Sequence, residues 1–187
     1  TPLLRKFFAD LGIAESEWMP RCNATYKLNI RFAGWSTRPG RASYCHPFPT
    51  QVDVHTSRAF YVNCLTRRLG LDVETSPDRF NLNAVLASAG KGPLASENFP
   101  FTVQYGYHFD SGLLGAFLRE RAVAQGVVHE SLQVSRVEQH ADGRIRSLVT
   151  RDGGSLDGDF FVDCSGFAAV LAQKALGVGF RSFADNL

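Results

Sequence analysis

The sequence predicts a mixed α/β fold, on three observations. Tyr26 to Phe32 and Phe101 to His108 alternate apolar and polar residues with a period of two, as half-buried strands do. Between and around them lie segments with helical spacing and recognisable ends. Further on, three strand-like stretches are separated by Asp142-Gly143 and Asp152-Gly153-Gly154, residue pairs that suit hairpin turns.

Taken in order, Thr1 to Leu11 is predicted helical. Thr1 caps it, Pro2 takes the first turn and Gly12 follows the end. Ser16 to Pro20 is expected to be one short helical turn that starts on a cap residue. In Tyr26 to Phe32, Tyr26, Leu28, Ile30 and Phe32 share one face, and Lys27, Asn29 and Arg31 share the other. Gly34-Trp35 and Arg38-Pro39-Gly40 end this strand, and Ser43 to Phe48 forms a second. Val54 to Leu69 and Asn81 to Ala89 read as helices. In Phe101 to His108 the alternating set is Phe101, Val103, Tyr105 and Tyr107. Asp110 or Ser111 then caps a helix that Gly126 stops. A short strand is expected at Val127 to Glu130. Leu132 to Gln139, Arg144 to Thr150 and Ser155 to Asp163 follow as a meander. Phe160-Phe161-Val162 has the unbroken apolar character of a strand buried on both faces. It leads through Cys164-Ser165-Gly166 into a helix from Phe167 to Leu176.

Composition narrows the function classes. The chain has 187 residues, 44% hydrophobic and 20% charged, with a net charge of +2. So small a charge offers little to nucleic acid or an anionic membrane. No apolar run approaches the roughly 18 residues of a membrane span. Cys22, Cys45, Cys64 and Cys164 form no C-x-x-C pair, which leaves no zinc motif. They are expected as reduced thiols in a cytoplasmic protein. The chain starts at Thr1 rather than Met, so it is expected to be an internal piece of a longer protein.

Three places could carry chemistry. Lys27 sits mid-strand, either as a solvent-facing lysine or, if its face lines a cavity, as a nucleophile or hydrogen-bond donor. His46 and Phe48 fall on one side of an extended segment. They are either core packing or a stacking wall for a flat ligand. In Asp163-Cys164-Ser165-Gly166-Phe167, a strand enters a small-residue turn and a helix, a place where backbone N–H groups can meet a pyrophosphate. His108, at the end of its strand, is read as structural.

Taken together, several of these segments resemble the flavin-dependent tryptophan halogenase family. The resemblance rests on Glu17-Trp18-Met19-Pro20, on Cys22 to Lys27 running on to Phe32, on Trp35, on Tyr107-His108-Phe109-Asp110 and on Phe161 to Phe167. Phe183 to Leu187 also looks like the family's next segment. The likeness is weakest from Arg38 to Asn98. It implies a partial FAD-dependent monooxygenase-like fold of the glutathione-reductase type. Residues 1–100 would be mainly the substrate side, and 101–187 mainly the flavin-domain meander, within one domain. The N-terminal Gly-rich strand–turn–helix is absent from this sequence.

The resemblance also implies a reaction. Reduced FAD and dioxygen convert a halide ion to hypohalous acid, which is relayed to Lys27 and then halogenates an indole-type arene or tryptophan. His46 and Phe48 match the substrate-stacking pair. Val134, Ser165 and Gly166 match positions near the flavin. A separate flavin reductase is implied as the source of reduced FAD. Two rival expectations stand beside this one: a related aromatic hydroxylase, and a truncated flavin-binding fragment without catalysis.

Overall fold

The computed structural model describes residues 2–186, with side-chain detail from Leu3. Thr1, expected to cap the first helix, and Leu187, the last residue of the family-like tail, lie outside the described residues. The chain forms two compact units, Thr1–Val127 and Val128–Leu187.

In the first unit, helix α1 (Pro2–Asp10) and helix α2 (Glu15–Arg21) are followed by strands β1 (Thr25–Lys27), β2 (Asn29–Ala33) and β3 (Ser43–Pro47). Helices α3 (Asp53–Arg68) and α4 (Leu82–Ser88), strand β4 (Gly106–His108) and helix α5 (Ser111–Ala124) complete it. Gly12 takes φ +66°, a left-handed turn that costs a residue with a Cβ, and so ends α1 where expected. Asp110 caps α5: its carboxylate accepts from Leu113 N at 2.9 Å. Ser16 does not cap α2. The helix starts one residue earlier, at Glu15, and its flanking residue Ala14 offers no side-chain acceptor.

The single strand expected from Tyr26 to Phe32 is two strands with different partners. β1 pairs antiparallel with β4, setting Tyr26 opposite Tyr107 and Lys27 opposite Gly106. β2 pairs antiparallel with β3, setting Ile30 opposite His46 and Phe32 opposite Tyr44. Leu28 is the point of exchange. Its alternation with Tyr26 and Ile30 is real, but alternation reports faces and not partners. The strand expected from Phe101 pairs only over its last three residues, although Val103, Tyr105 and Tyr107 are all buried as the period requires.

The core of this unit is aromatic. Phe8 from α1 stacks on Trp18 from α2 with ring centroids 4.3 Å apart, and Tyr107 from β4 meets Trp18 edge-on at 4.9 Å. Phe117 from α5, Leu28 and Cys22 join the same cluster. The Arg121–Glu17 ion pair at 3.2 Å ties α5 to α2.

The second unit is the meander β5 (Val134–Gln139), β6 (Ile145–Thr150) and β7 (Ser155–Asp157), paired in that order. Gly143 (φ +86°) and Gly153 (φ +89°) make its turns, as the Asp-Gly chemistry predicts. The chain departs from expectation on both sides of this sheet. Val127 to Glu130 is irregular, and Val128 is 79% exposed. Phe160-Phe161-Val162 is not a strand: Phe160 is 84% and Val162 72% exposed. A strand buried on both faces needs a neighbour on each side, and among the described residues the ladder stops at Asp157.

The expected helix from Phe167 is also broken. Gly166–Ala168 is a 3-10 turn, Ala169 is left-handed (φ +39°), and Val170–Ala175 is a short π-helix. Four free cysteines are distributed over the chain, with none paired.

Candidate functional site

Lys27 ends β1, half-buried, and its side chain makes no hydrogen bond or ion pair among the described residues. Its opposite number, Gly106, has no side chain. On an antiparallel ladder the directly opposed residue supplies the nearest cross-strand cover, and buried Gly106 brings no side chain to the lysine stem. One residue further on, Phe48 N donates to Leu28 O at 3.0 Å and so continues the β2–β3 ladder by one step. Phe48 therefore stands opposite Leu28, and His46 opposite Ile30, which puts His46 and Phe48 on one face of the hairpin. His46 is exposed and Phe48 half-buried. A strict period of two carried across Leu28 would put Lys27 on the other face. The change of partner strand at Leu28 removes that constraint.

Phe48 is fixed from beneath by a residue that the sequence did not single out. Asn83 of α4, with no exposed surface, donates through its amide nitrogen to Phe48 O (2.8 Å) and to Gln104 O (2.6 Å). It thereby bolts the end of β3 to the segment leading into β4. The buried carboxylate of Asp53 accepts from Thr50 N (2.6 Å) and Leu82 N (2.8 Å), tying the start of α3 to the start of α4.

β1 is held by a second unforeseen group. The Glu15 carboxylate accepts three phenol hydroxyls: Tyr105 at 2.8 Å, Tyr107 at 2.6 Å and Tyr26 at 3.0 Å. Burial, and then the hydrogen bond to Glu15, push Tyr26 up to about 12. The same two causes raise Tyr105 and Tyr107. The Arg5 guanidinium lies 4.5 Å from the Tyr105 ring centre. A sequence signal existed: three tyrosines on strand faces that must be buried need an acceptor for three hydroxyls.

The positions that the family resemblance implies near the flavin, Val134, Ser165 and Gly166, lie in the second unit. Val134 opens β5 opposite Thr150, beside a register shift that frees Ser135 to donate to Val149 O and Thr150 O. Ser165 donates to the Asp163 carboxylate at 2.5 Å and accepts from Val170 N at 2.9 Å. Gly166 follows at φ +62°, and nothing lies within 4 Å of where a Cβ would stand. The helix-start amides expected to meet a pyrophosphate are already engaged. Leu171 N (2.9 Å) and Ala172 N (3.1 Å) both donate to Asp163. With the Ser165 hydroxyl as the largest cause, these bonds hold the Asp163 carboxyl well below the usual carboxylate range. The Ser165 N–H is engaged as well, donating to the Asp163 carboxylate at 3.1 Å. His108, at the end of β4, is exposed and pairs with Thr25, in keeping with a structural role.

Half-buried Lys27 at the end of a short strand pair thus lies next in the chain to a hairpin with two rings on one face. The solved flavin-dependent halogenase BrvH from Brevundimonas sp. BAL3 matches with a TM-score of 0.81 at 33% identity, over 98% of this chain and 37% of that one. The structure of tryptophan 6-halogenase SttH from Streptomyces toxytricini matches with a TM-score of 0.74, over all of this chain and 39% of that one. By sequence, SttH is 37% identical across 98% of this chain and 38% of its own length. Tryptophan 7-halogenase RebH from Lentzea aerocolonigenes is 33% identical across 97% of this chain and 36% of its own length. The pattern of the tryptophan halogenase family matches residues 1–187, and the chain belongs to that family. It spans less than two-fifths of the length of these relatives.

Proposed function

We propose that this chain supplies the halogen-relaying lysine and the arene-stacking hairpin of a flavin-dependent halogenase acting on an indole-type substrate. The observation that carries the reading is the pairing of Lys27 with Gly106, one residue from a hairpin that presents His46 and Phe48 together. The substrate ring stacks against His46 and Phe48, and Asn83 fixes the height of Phe48 through its carbonyl. The Lys27 ammonium donates a hydrogen bond to hypohalous acid, which draws electron density from the halogen and sharpens it as an electrophile. The arene carbon attacks the halogen and hydroxide leaves, taking up the proton lost from the ring. Bound reduced FAD supplies hypohalous acid from dioxygen and halide. Val134, Ser165 and Gly166 would contact that flavin, and a separate reductase would renew it.

The test is made in the complete enzyme that carries these residues, given reduced FAD, dioxygen, an indole panel and chloride or bromide. Product mass spectrometry should show a halogenated arene. Lys27→Ala should abolish it while oxidation of reduced flavin continues. Ring-hydroxylated product at an unchanged rate in the variant, with no halogenated product from either protein, would identify an aromatic hydroxylase instead. A second measurement addresses the form of the lysine. In single turnovers supplied with hypohalous acid, activity should belong to the protonated amine, and activity confined to the deprotonated amine would refute the hydrogen-bond role.

A further inference from the structure

We propose a second binding site, for a flat aromatic molecule carrying an oxyanion such as an aryl carboxylate, at the far end of the β2–β3 hairpin. A cavity of about 730 Å³ opens there between the hairpin loop, the end of α3 and the segment at Thr75–Pro77. Its charged lining is all cationic. Arg38, Arg41 and Arg67 line it, and no carboxylate does. A guanidinium has five N–H donors and no acceptor, so the charged part of this wall favours an anion.

The three arginines are not equivalent. Arg41 is held in place by Thr75, through the side-chain oxygen at 2.7 Å and the carbonyl at 3.5 Å. Arg67 donates to Val73 O at 2.7 Å and to the fully exposed Asp72 at 3.2 Å. Arg38 has no side-chain partner among the described residues. It is the guanidinium left over for a ligand. Glu74 borders the site but is turned to its own turn, where it accepts from Ser76 N at 2.7 Å.

The aromatic half of the site is Trp35 and Tyr44. Trp35 is 67% exposed and lines the cavity. It is nonetheless fixed. Its backbone N–H donates to Ala42 O at 3.1 Å, and its ring sits edge-on to Phe32 (5.6 Å) and Tyr44 (6.0 Å). A preformed ring beside an unpartnered guanidinium gives a flat anion both a stacking surface and charge-assisted hydrogen bonds.

This site is separate from the His46–Phe48 pair. Its lining includes neither His46 nor Phe48, although Tyr44 stands only two residues, about 7 Å at the usual rise, from His46.

The probe is 2-naphthoate, with 2-naphthalenemethanol as its uncharged counterpart, in calorimetric titration of this chain. The naphthoate should bind, and the alcohol about tenfold more weakly, the effect of one charge-assisted bond. Arg38→Gln, which breaks no side-chain hydrogen bond or ion pair among the described residues, should cost about the same factor. Trp35→Ala should weaken both probes alike. Equal affinity for acid and alcohol, an Arg38→Gln chain that binds naphthoate as the parent does, or no binding at millimolar naphthoate would each overturn the proposal. Displacement of naphthoate by inorganic sulfate with no loss in Trp35→Ala would also overturn it, by reducing the site to a plain anion patch.

Discussion

At the scale of single residues, Asp163 shows how one side chain redirects a motif. The stretch from Asp163 to Phe167 reads as a turn that offers helix-start amides to a phosphate. In the fold the carboxylate takes those amides for itself, along with the Ser165 N–H and hydroxyl. The helix can therefore begin only at Val170, and Ala169 is left in a left-handed conformation that costs a Cβ-bearing residue roughly 1–2 kcal/mol. Asp163→Ala should release Leu171 and Ala172, whose amides should then exchange with solvent far faster; unchanged protection would show that the cap is idle. The sign with pH follows from the lowered carboxyl. The cap's contribution is complete above the ordinary aspartate range near 4 and declines as pH falls through the lower folded value. What the sequence conveyed here was the chemistry of the residues, not their partners. Residue type and period placed Lys27, His46 and Phe48 on strand faces, and only the family resemblance implied roles for them. Glu15 and Asn83 were not visible, because each acts on residues distant in sequence (Glu15 on Tyr105 and Tyr107, Asn83 on Phe48).

At the scale of elements, the clasp of three tyrosines on Glu15 joins α2, β1 and the approach to β4 and sets the height of the strand that ends in Lys27. All three phenols are raised by burial and then by the bond to Glu15, so the folded chain keeps protons that the unfolded chain releases above pH 10. The clasp's stabilisation is therefore whole below pH 10 and drains away as pH rises from there through about 12 and beyond. A titration of phenolate absorbance should show three of the five tyrosines ionising only as the near-UV dichroism of the fold is lost. Ionisation of all five with the fold intact would contradict the geometry. Glu15→Gln keeps acceptor and shape but removes the charge, and should move this alkaline transition to lower pH. Elements that close on themselves were legible: the caps of α5, the stops at Gly12 and Gly126, and the two meander turns all follow from local chemistry. The exchange of partners at Leu28 and the loss of the strand at Phe160–Val162 were not, because pairing depends on neighbours that no local pattern names.

At the scale of the whole molecule, the two units differ in how much core they own. Phe8, Trp18, Leu28, Tyr105, Tyr107 and Phe117 pack together in the first. In the second, Leu171 is the only apolar side chain buried among the described residues, and Phe160, Val162, Phe167 and Phe180 are each more than two-thirds exposed. A unit of some 60 residues is marginal even with a good core, since it buries only about 60% of its unfolded surface. The second unit should therefore open at lower urea than the first. The chain carries its own reporters for this: both tryptophans, Trp18 and Trp35, belong to the first unit, whereas backbone dichroism reports the helices and strands of both. Urea titration should give a dichroism curve whose early phase has no counterpart in tryptophan fluorescence, followed by a later phase in which the two signals fall together. Removing Trp18 from the aromatic core, as Trp18→Ala, should cost about 3–5 kcal/mol and pull the later phase toward the earlier one without moving the earlier one. Superimposable curves for the parent chain, or a Trp18→Ala substitution that shifts both phases equally, would mean that the molecule unfolds as one cooperative body and would overturn the separate opening of the second unit.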